Sequence, residues 1–349
     1  MNVLARMYRG ETKFDFVGIS RRSLIVSLVL VVSSILIMVV KPFNLSIDFT
    51  GGVIVTVQNE ADASVEDIRG DLRAIGYADA RVQVTGEGFI IVQTEALQAN
   101  EMDVLVLAVT DVAGVDINEA NVSAVGPTFG AEVTRKAIEA LVVFLVVIAL
   151  FITWRFEWKM AVAALAALFH DLLITGGLYA LTGFLATPST IIAVLTILGY
   201  SLYDTVVVFE KVKENVHELH DRSTISGIVN LSMNQVLMRS INTSLTSLLP
   251  VGSLLLVGFL ALGAETLKEF ALALFIGIAI GTYSSIFVAA PILARWKESE
   301  PEWERQRRRA GKSDEPTKAV AEADIPQAPA VAPSASAAPR PPKQRRKRR

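Results

Sequence analysis

Two carboxylates stand where lipid should exclude them. Asp171 lies near the middle of the apolar run Met160–Leu185, and Asp204 lies deep in the run Pro188–Phe209. A charge at mid-bilayer costs roughly 2.5–3.5 kcal/mol on insertion scales, so such acids face a bundle interior and mark ion or proton paths. Residues three and four apart share a helix face. Asp171 shares one with Thr175 and Tyr179, and Asp204 shares one with Thr196, Tyr200 and Ser201. A third stripe runs from Arg239 through Asn242, Thr243, Thr246 and Ser247, with Pro250 as a kink point. The three stripes cost least when turned toward one another. This predicts a proton or cation path with Asp204 as the titrating carrier, Asp171 as a second coupling acid and Arg239 as counter-ion. Tyr200, Ser201, Asn242 and Thr243 would be supporting polar groups. A purely structural account stands beside it: small polar residues pack membrane helices and hydrogen-bond across them, an arginine near a helix end snorkels, and His170 is simply a bundle-facing neighbour of Asp171.

Composition narrows the chemistry further. The 349 residues are 52% hydrophobic and 19% charged, with a mean hydropathy of +0.46. Soluble domains are about 45–50% apolar and about 25% charged. There is no cysteine, which excludes disulfides, thiolate metal sites and cysteine nucleophiles. The three histidines (His170, His217, His220) argue against a histidine metal cluster. Neither a GxxxxGK[ST] run nor a GxGxxG is present, so no phosphate cradle is expected. No cofactor, metal or enzymatic activity is expected.

The elements that must position these residues are six apolar runs, at about 22–40, 137–154, 160–182, 188–209, 243–262 and 268–293. Each is near the roughly 20 residues needed to span a bilayer. Lys41-Pro42-Phe43 follows the first run in place of a small-residue cleavage site, so that run reads as an anchor helix that stays. Lysine and arginine orient the spans. Arg155 and Lys159 join the second and third, and Lys211, Lys213 and Arg222 lie between the fourth and fifth. The opposite loops, 182–187 and 263–269, hold only one lysine between them. Both termini are therefore expected in the cytoplasm of a multi-pass protein of the cell membrane. The expected division is a cytoplasmic segment 1–21, a first span 22–41, an outer domain 42–135, a bundle 136–297 with a cytoplasmic loop 210–240, and a disordered cytoplasmic tail 298–349.

The outer segment is acidic, with only Arg69, Arg73 and Arg81 as bases. Val53–Gln58 alternates as a strand does, and Ser64 with Asp67 forms a helix-start signal. Val65, Ile68, Leu72 and Ile75 recur at helical spacing up to Gly76. Arg81–Thr85 and Phe89–Thr94 flank Gly86-Glu87-Gly88, a hairpin signal. A second helix, Asn100–Ala113, and a strand, Asn121–Val125, complete a βαββαβ order, that of a ferredoxin-like α+β unit. Gly277 and Gly281 form a GxxxG that allows close helix approach. The tail ends in Lys343-Gln344-Arg345-Arg346-Lys347-Arg348-Arg349, which suits anionic lipid or bulk solvent alike.

Several strings resemble the SecF family of bacterial protein-export membrane subunits. They are Ile47-Asp48-Phe49-Thr50-Gly51-Gly52, Gly126-Pro127, His170-Asp171, Gly199-Tyr-Ser-Leu-Tyr-Asp204-Thr-Val-Val-Val-Phe-Glu210, Arg239-Ser-Ile-Asn-Thr-Ser244, and the sixth-run string Phe270 to Pro291. The resemblance implies a six-helix half of an RND-like bundle, paired with SecD and associated with the SecYEG channel. It implies use of the proton-motive force to draw unfolded exported polypeptides outward, and roles in proton transfer for the residues at Asp204 and Arg239. Glu210-Lys211-Val212-Lys213 stands where the family carries an acid-Arg-Ile-Arg run, which keeps the charge. Membrane lipid is the other expected contact, and no nucleic acid is expected. Two rival readings remain at this point: a half-size RND-type exporter of small molecules or lipids, and an assembly factor whose buried polar groups only fix helix register.

Overall fold

A computed structural model of the chain describes residues 12–86, 88–219, 223–260 and 265–310. Residues 1–11 and 311–349, which include most of the segment expected as a tail, lie outside the described residues, as do 87, 220–222 and 261–264. Among the described residues, six helices are long and apolar enough to cross a membrane, and the chain is a multi-pass membrane protein.

The first of these, α1 (Phe16–Val40), is capped by Asp15, which accepts from the Gly18 amide at 2.8 Å. Its buried positions are Phe16, Ser20, Ser23, Ser27 and Ser34, while Ile25, Leu28, Val29 and Leu36 are exposed. Lipid is as apolar as leucine, so small side chains that let backbones approach make the packed face. The helix starts ahead of the expected residue 22, because Arg21 and Arg22 are exposed and sit comfortably in a helix.

A short strand β1 (Asn44–Leu45) and a single helical turn α2 (Ile47–Thr50) lead into the sheet domain. That domain runs β2 (Gly52–Gln58), α3 (Val65–Ala74), β3 (Arg81–Val84), β4 (Phe89–Thr94), α4 (Ala99–Ala113) and β5 (Asn121–Val125). Its antiparallel strand order is β3-β4-β2-β5, the ferredoxin-like arrangement. Val53, Val55 and Val57 alternate toward Ile68, Leu72, Leu105 and Val109 on the two helices, so one face of the sheet supplies the core. Gly51 and Gly52 have φ of +72° and +133°, and a Cβ on Gly52 would lie 2.2 Å from the Thr94 carbonyl oxygen. Only glycine fits there.

Five further helices complete the bundle. They are α5 (Pro127–Arg155), α6 (Trp158–Thr182), α7 (Pro188–Leu219), α8 (Ile225–Leu260) and α9 (Glu265–Ser284). A strand β6 (Leu185–Ala186) in the α6–α7 connection pairs in parallel with β1. After α9 the last span widens into a π-helical turn, Ser285–Ala289, and continues as α10 (Ala290–Glu298). Helices α7 and α9 approach at glycine: a Cβ on Gly277 would lie 2.2 Å from Ile197 Cδ1, and one on Gly281 would lie 2.9 Å from Ser201 Cβ.

Two expectations are corrected. The loop expected at 210–240 is mostly helix, since α7 runs to Leu219 and α8 begins at Ile225. Charges at Glu210, Lys211 and Lys213 mark where the helix leaves the apolar layer, not where it ends. Val212, Ile225, Ile228 and Val229 carry the core beyond that level, and Asn215 donates to Ser232 and Gln235 at 2.7 and 2.8 Å. The tail expected to be disordered from 298 instead forms α11 (Pro301–Ala310), whose Trp303 is 4% exposed and joins the bundle core. One aromatic anchors a segment whose composition otherwise reads as unstructured.

Candidate functional site

Asp171 on α6 has no exposed surface. Its Oδ1 lies 2.9 Å from His170 Nδ1, and its Oδ2 accepts from Ser201 Oγ of α7 at 2.5 Å and Ser284 Oγ of α9 at 2.7 Å. Asp204 on α7 is also buried. Its Oδ1 accepts from Ser240 Oγ of α8 at 2.6 Å, and its Oδ2 from Ser285 Oγ at 2.5 Å. Ser284 and Ser285 are consecutive, so the end of α9 sends one hydroxyl to each acid. The π-helical turn begins at the second of them, and such turns gather at functional sites. Both carboxylates are thus held by neutral hydroxyl dipoles. A carboxylate offers about four lone-pair sites, and the two hydroxyls on Asp204 leave acceptor capacity unused.

A cavity of about 20 Å³ opens beside Asp204, lined by Tyr200, Ser201, Thr243, Ser244, Ser247 and Thr282 among others. That is room for one water, in a wall polar enough to hold it. Ser244 and Thr282 close one side with a hydroxyl–hydroxyl bond of 2.7 Å. The cavity lies on the sheet-domain side of the acid, because α8 climbs from Ser240 to Ser247 in that direction. On the opposite side the bundle is dry, filled by Val207, Val208, Val236 and Leu237.

The expected residues divide. Asp171, Asp204 and Ser201 meet in one hydroxyl-linked core, and Tyr200 and Thr243 line the cavity. Asn242 is half-buried on α8, and its carbonyl accepts from Thr246 at 2.9 Å. Arg239 is not brought to Asp204. It is exposed, donates to the Tyr203 hydroxyl at 2.9 Å and lies 5.8 Å above that ring. The reason is rotational: successive helix residues differ by about 100°, and Ser240 occupies the direction of the acid, which turns Arg239 away. Tyr179 does not join the acids either. Its hydroxyl donates to the Leu185 carbonyl at 3.0 Å and steadies the α6–α7 connection.

Sequence reasoning missed Ser240, Ser284 and Ser285. The first had a signal, since Ser240, Ser244 and Ser247 recur at i, i+4 and i+7 on one face. The serine pair also had one, since Thr282-Tyr283-Ser284-Ser285 is a polar run inside an otherwise apolar string.

Comparison with known proteins gives two matching family models. Residues 106–299 match "Protein export membrane protein SecD/SecF, C-terminal", and residues 36–59 match the SecD/SecF GG motif. A protein translocase subunit SecF from Streptomyces coelicolor is 39% identical over 307 residues, covering 87% of this chain and 82% of that one. A SecF subunit from Mycobacterium tuberculosis is 42% identical over 309 residues, covering 84% and 70%. The crystal structure of SecDF, a translocon-associated membrane protein from Thermus thermophilus, superposes with a TM-score of 0.75 at 35% identity, covering 83% of this chain and 39% of that longer one.

Proposed function

The chain belongs to the SecD/SecF protein-export family, as a SecF-type translocase subunit, and from that premise we propose that it couples inward proton flow to the export of unfolded polypeptides, acting with SecD and the SecYEG channel as a transport subunit and not an enzyme. The observation that carries the reading is Asp204, a buried acid held, among the described residues, by two serine hydroxyls, with a water-sized cavity on its sheet-domain side.

Lysine and arginine in the α5–α6 and α7–α8 connections support a cytoplasmic location for that end of the bundle, with the sheet domain outside. The Asp204 cavity then opens toward the outer face, the side from which the gradient delivers protons. A proton arriving through the cavity water adds an O–H donor at one carboxyl oxygen, while the other oxygen still accepts. The serine bonded to the protonated oxygen is then held less strongly, and Ser285 has another acceptor at 3.1 Å in the Thr282 carbonyl. One charge crossing the full potential supplies roughly 2.3 kcal/mol per 100 mV, enough to bias a two-state bundle.

Partnership with SecD is supported by single-chain SecDF relatives, in which this chain matches 40% of the Thermus thermophilus protein and 39% of the Bacillus subtilis one. Tyr200, Tyr203 and Arg239 form an exposed polar face beside Asp204 where a second subunit would pack. Arg239 then serves the shared boundary rather than Asp204 directly.

The test is gradient-dependent export by membrane vesicles holding the partner subunits, comparing the native chain with Asp204→Asn at equal abundance. Loss of the gradient-dependent fraction with the complex intact is expected. Unchanged export would overturn the reading.

A further inference from the structure

The exchange at Asp204 makes no use of His170. This residue is 6% exposed, its Nδ1 faces Asp171 Oδ1 at 2.9 Å, and its Nε2 is buried with no hydrogen-bond partner among the described residues. With Asp171 ionised, Oδ1 can only accept, so the ring hydrogen sits on Nδ1 and Nε2 is a bare lone pair. Buried polar atoms are nearly always paired, and an exception calls for an explanation. The ring stacks against Tyr283 of α9 at 6.2 Å between centroids and 27° between planes. The phenol of Tyr283 in turn lies 3.2 Å from Ser27 Oγ of α1 and donates to the Ser23 carbonyl.

We propose that His170, paired with Asp171, is a second protonation site in the bundle, accepting a proton at Nε2 to become an imidazolium held against the Asp171 carboxylate. One N–H bond forms at Nε2, the O–H bond of a hydronium drawn from the outer medium breaks, and the pair passes from one negative charge to none. Asp171 is the acid that the ring meets on its own helix. Tyr283 faces it from α9 and Ser27 from α1. From α7, Ser201 touches the same carboxylate, and Asp204 acts through the serine pair; Arg239 of α8 is engaged elsewhere, with Tyr203.

The serine pair couples the two sites. Ser284 holds Asp171 and Ser285 holds Asp204, and each has the same fallback, its own helix carbonyl at 3.1 Å (Gly281 and Thr282). Neutralising the His170–Asp171 pair weakens the hold on Ser284. The adjoining π turn can then relax, and Asp204 feels the change through Ser285. This coupling, though not the site itself, rests on the reading of Asp204 as the exchanging acid.

The experiment is nitrogen-15 NMR of histidine-labelled full chain in its membrane complex across a pH series. Resonances absent from His170→Gln identify the ring. A His217→Gln/His220→Gln chain, in which His170 is this subunit's one remaining histidine, provides the assignment if His170→Gln does not assemble. The expected result is a neutral Nδ1–H ring at high pH that becomes an imidazolium on acidification, with a midpoint that differs between the native chain and Asp204→Asn. A ring that stays neutral until the complex unfolds would overturn the proposal, and an undisplaced midpoint would overturn the coupling. Lost gradient-driven export in Asp204→Asn with a His170 that never charges would sink this site and leave the main reading standing. Normal export in Asp204→Asn with a titrating His170 would do the reverse.

Discussion

Gly281→Ala tests whether the helix spacing at the site is what holds the acids in register. A Cβ at this position would lie 2.9 Å from Ser201 Cβ. Unstrained carbon contacts are about 3.5–4.0 Å, so α7 and α9 must part by about 0.6–1.1 Å. The Ser285 to Asp204 bond, which ties the α9 span to α7 and is now 2.5 Å, would stretch to about 3.1–3.6 Å, at or past the limit for such a bond. A hydrogen bond to a charged group is worth about 1.5–3 kcal/mol, and overpacking adds about 1–3 kcal/mol. Gly277→Ala drives the same wedge one turn away, its Cβ meeting Ile197 at 2.2 Å. The assay pairs thermal stability of the purified complex with gradient-driven export per folded complex. Both variants should lose stability and most of their export per complex, Gly277→Ala the more of each. Native export per folded complex in either variant would refute the link between helix spacing and acid geometry.

Two further outcomes follow from packing elsewhere. Gly52→Ala forces a side chain into a conformation reserved for glycine, worth about 1–3 kcal/mol, and into the Thr94 carbonyl, so limited proteolysis should cut the sheet domain while sparing the bundle. Trp303→Ala should release α11, at up to about 3–5 kcal/mol for a buried tryptophan; hydrogen exchange over residues 301–305 should rise, with the spans unaffected.

What the sequence revealed follows from how expensive each feature is. Asp171 and Asp204 were legible because a charge in an apolar run has few explanations. The strands and helices of the sheet domain were legible because alternation and 3.6-residue spacing differ sharply, with Ser64 and Gly52 as punctuation. The hydroxyls that hold the acids were not, since serine is cheap in a membrane helix and the run Thr282-Tyr283-Ser284-Ser285 does not say which hydroxyl meets which acid. Arg239 was misassigned by one residue of rotation, a distinction that charge patterning does not resolve. The extension of α7 and α8 beyond their apolar runs was hidden because charged helices and charged loops have similar composition, and Val212 and Ile228 reveal their packing only in three dimensions.

The two-residue joint between β1 and β6 gives the molecule a load path. Asn44 and Leu45 pair with Leu185 and Ala186, and three side-chain bonds reinforce the joint: Asn44 to the Gly183 carbonyl, Arg81 to Asn44, and Gln93 to the Leu45 carbonyl. A pull on the sheet domain that travelled only through its covalent ends would reach α1 and α5, neither of which carries Asp171 or Asp204. Through this joint it arrives at the hairpin that begins α7 and ends α6, the two helices bearing Asp204 and Asp171. Under the proposed coupling, tension on the domain and protonation of the acids would act on the same lever from opposite ends, and a stalled load would be felt as resistance at Asp204 and Asp171.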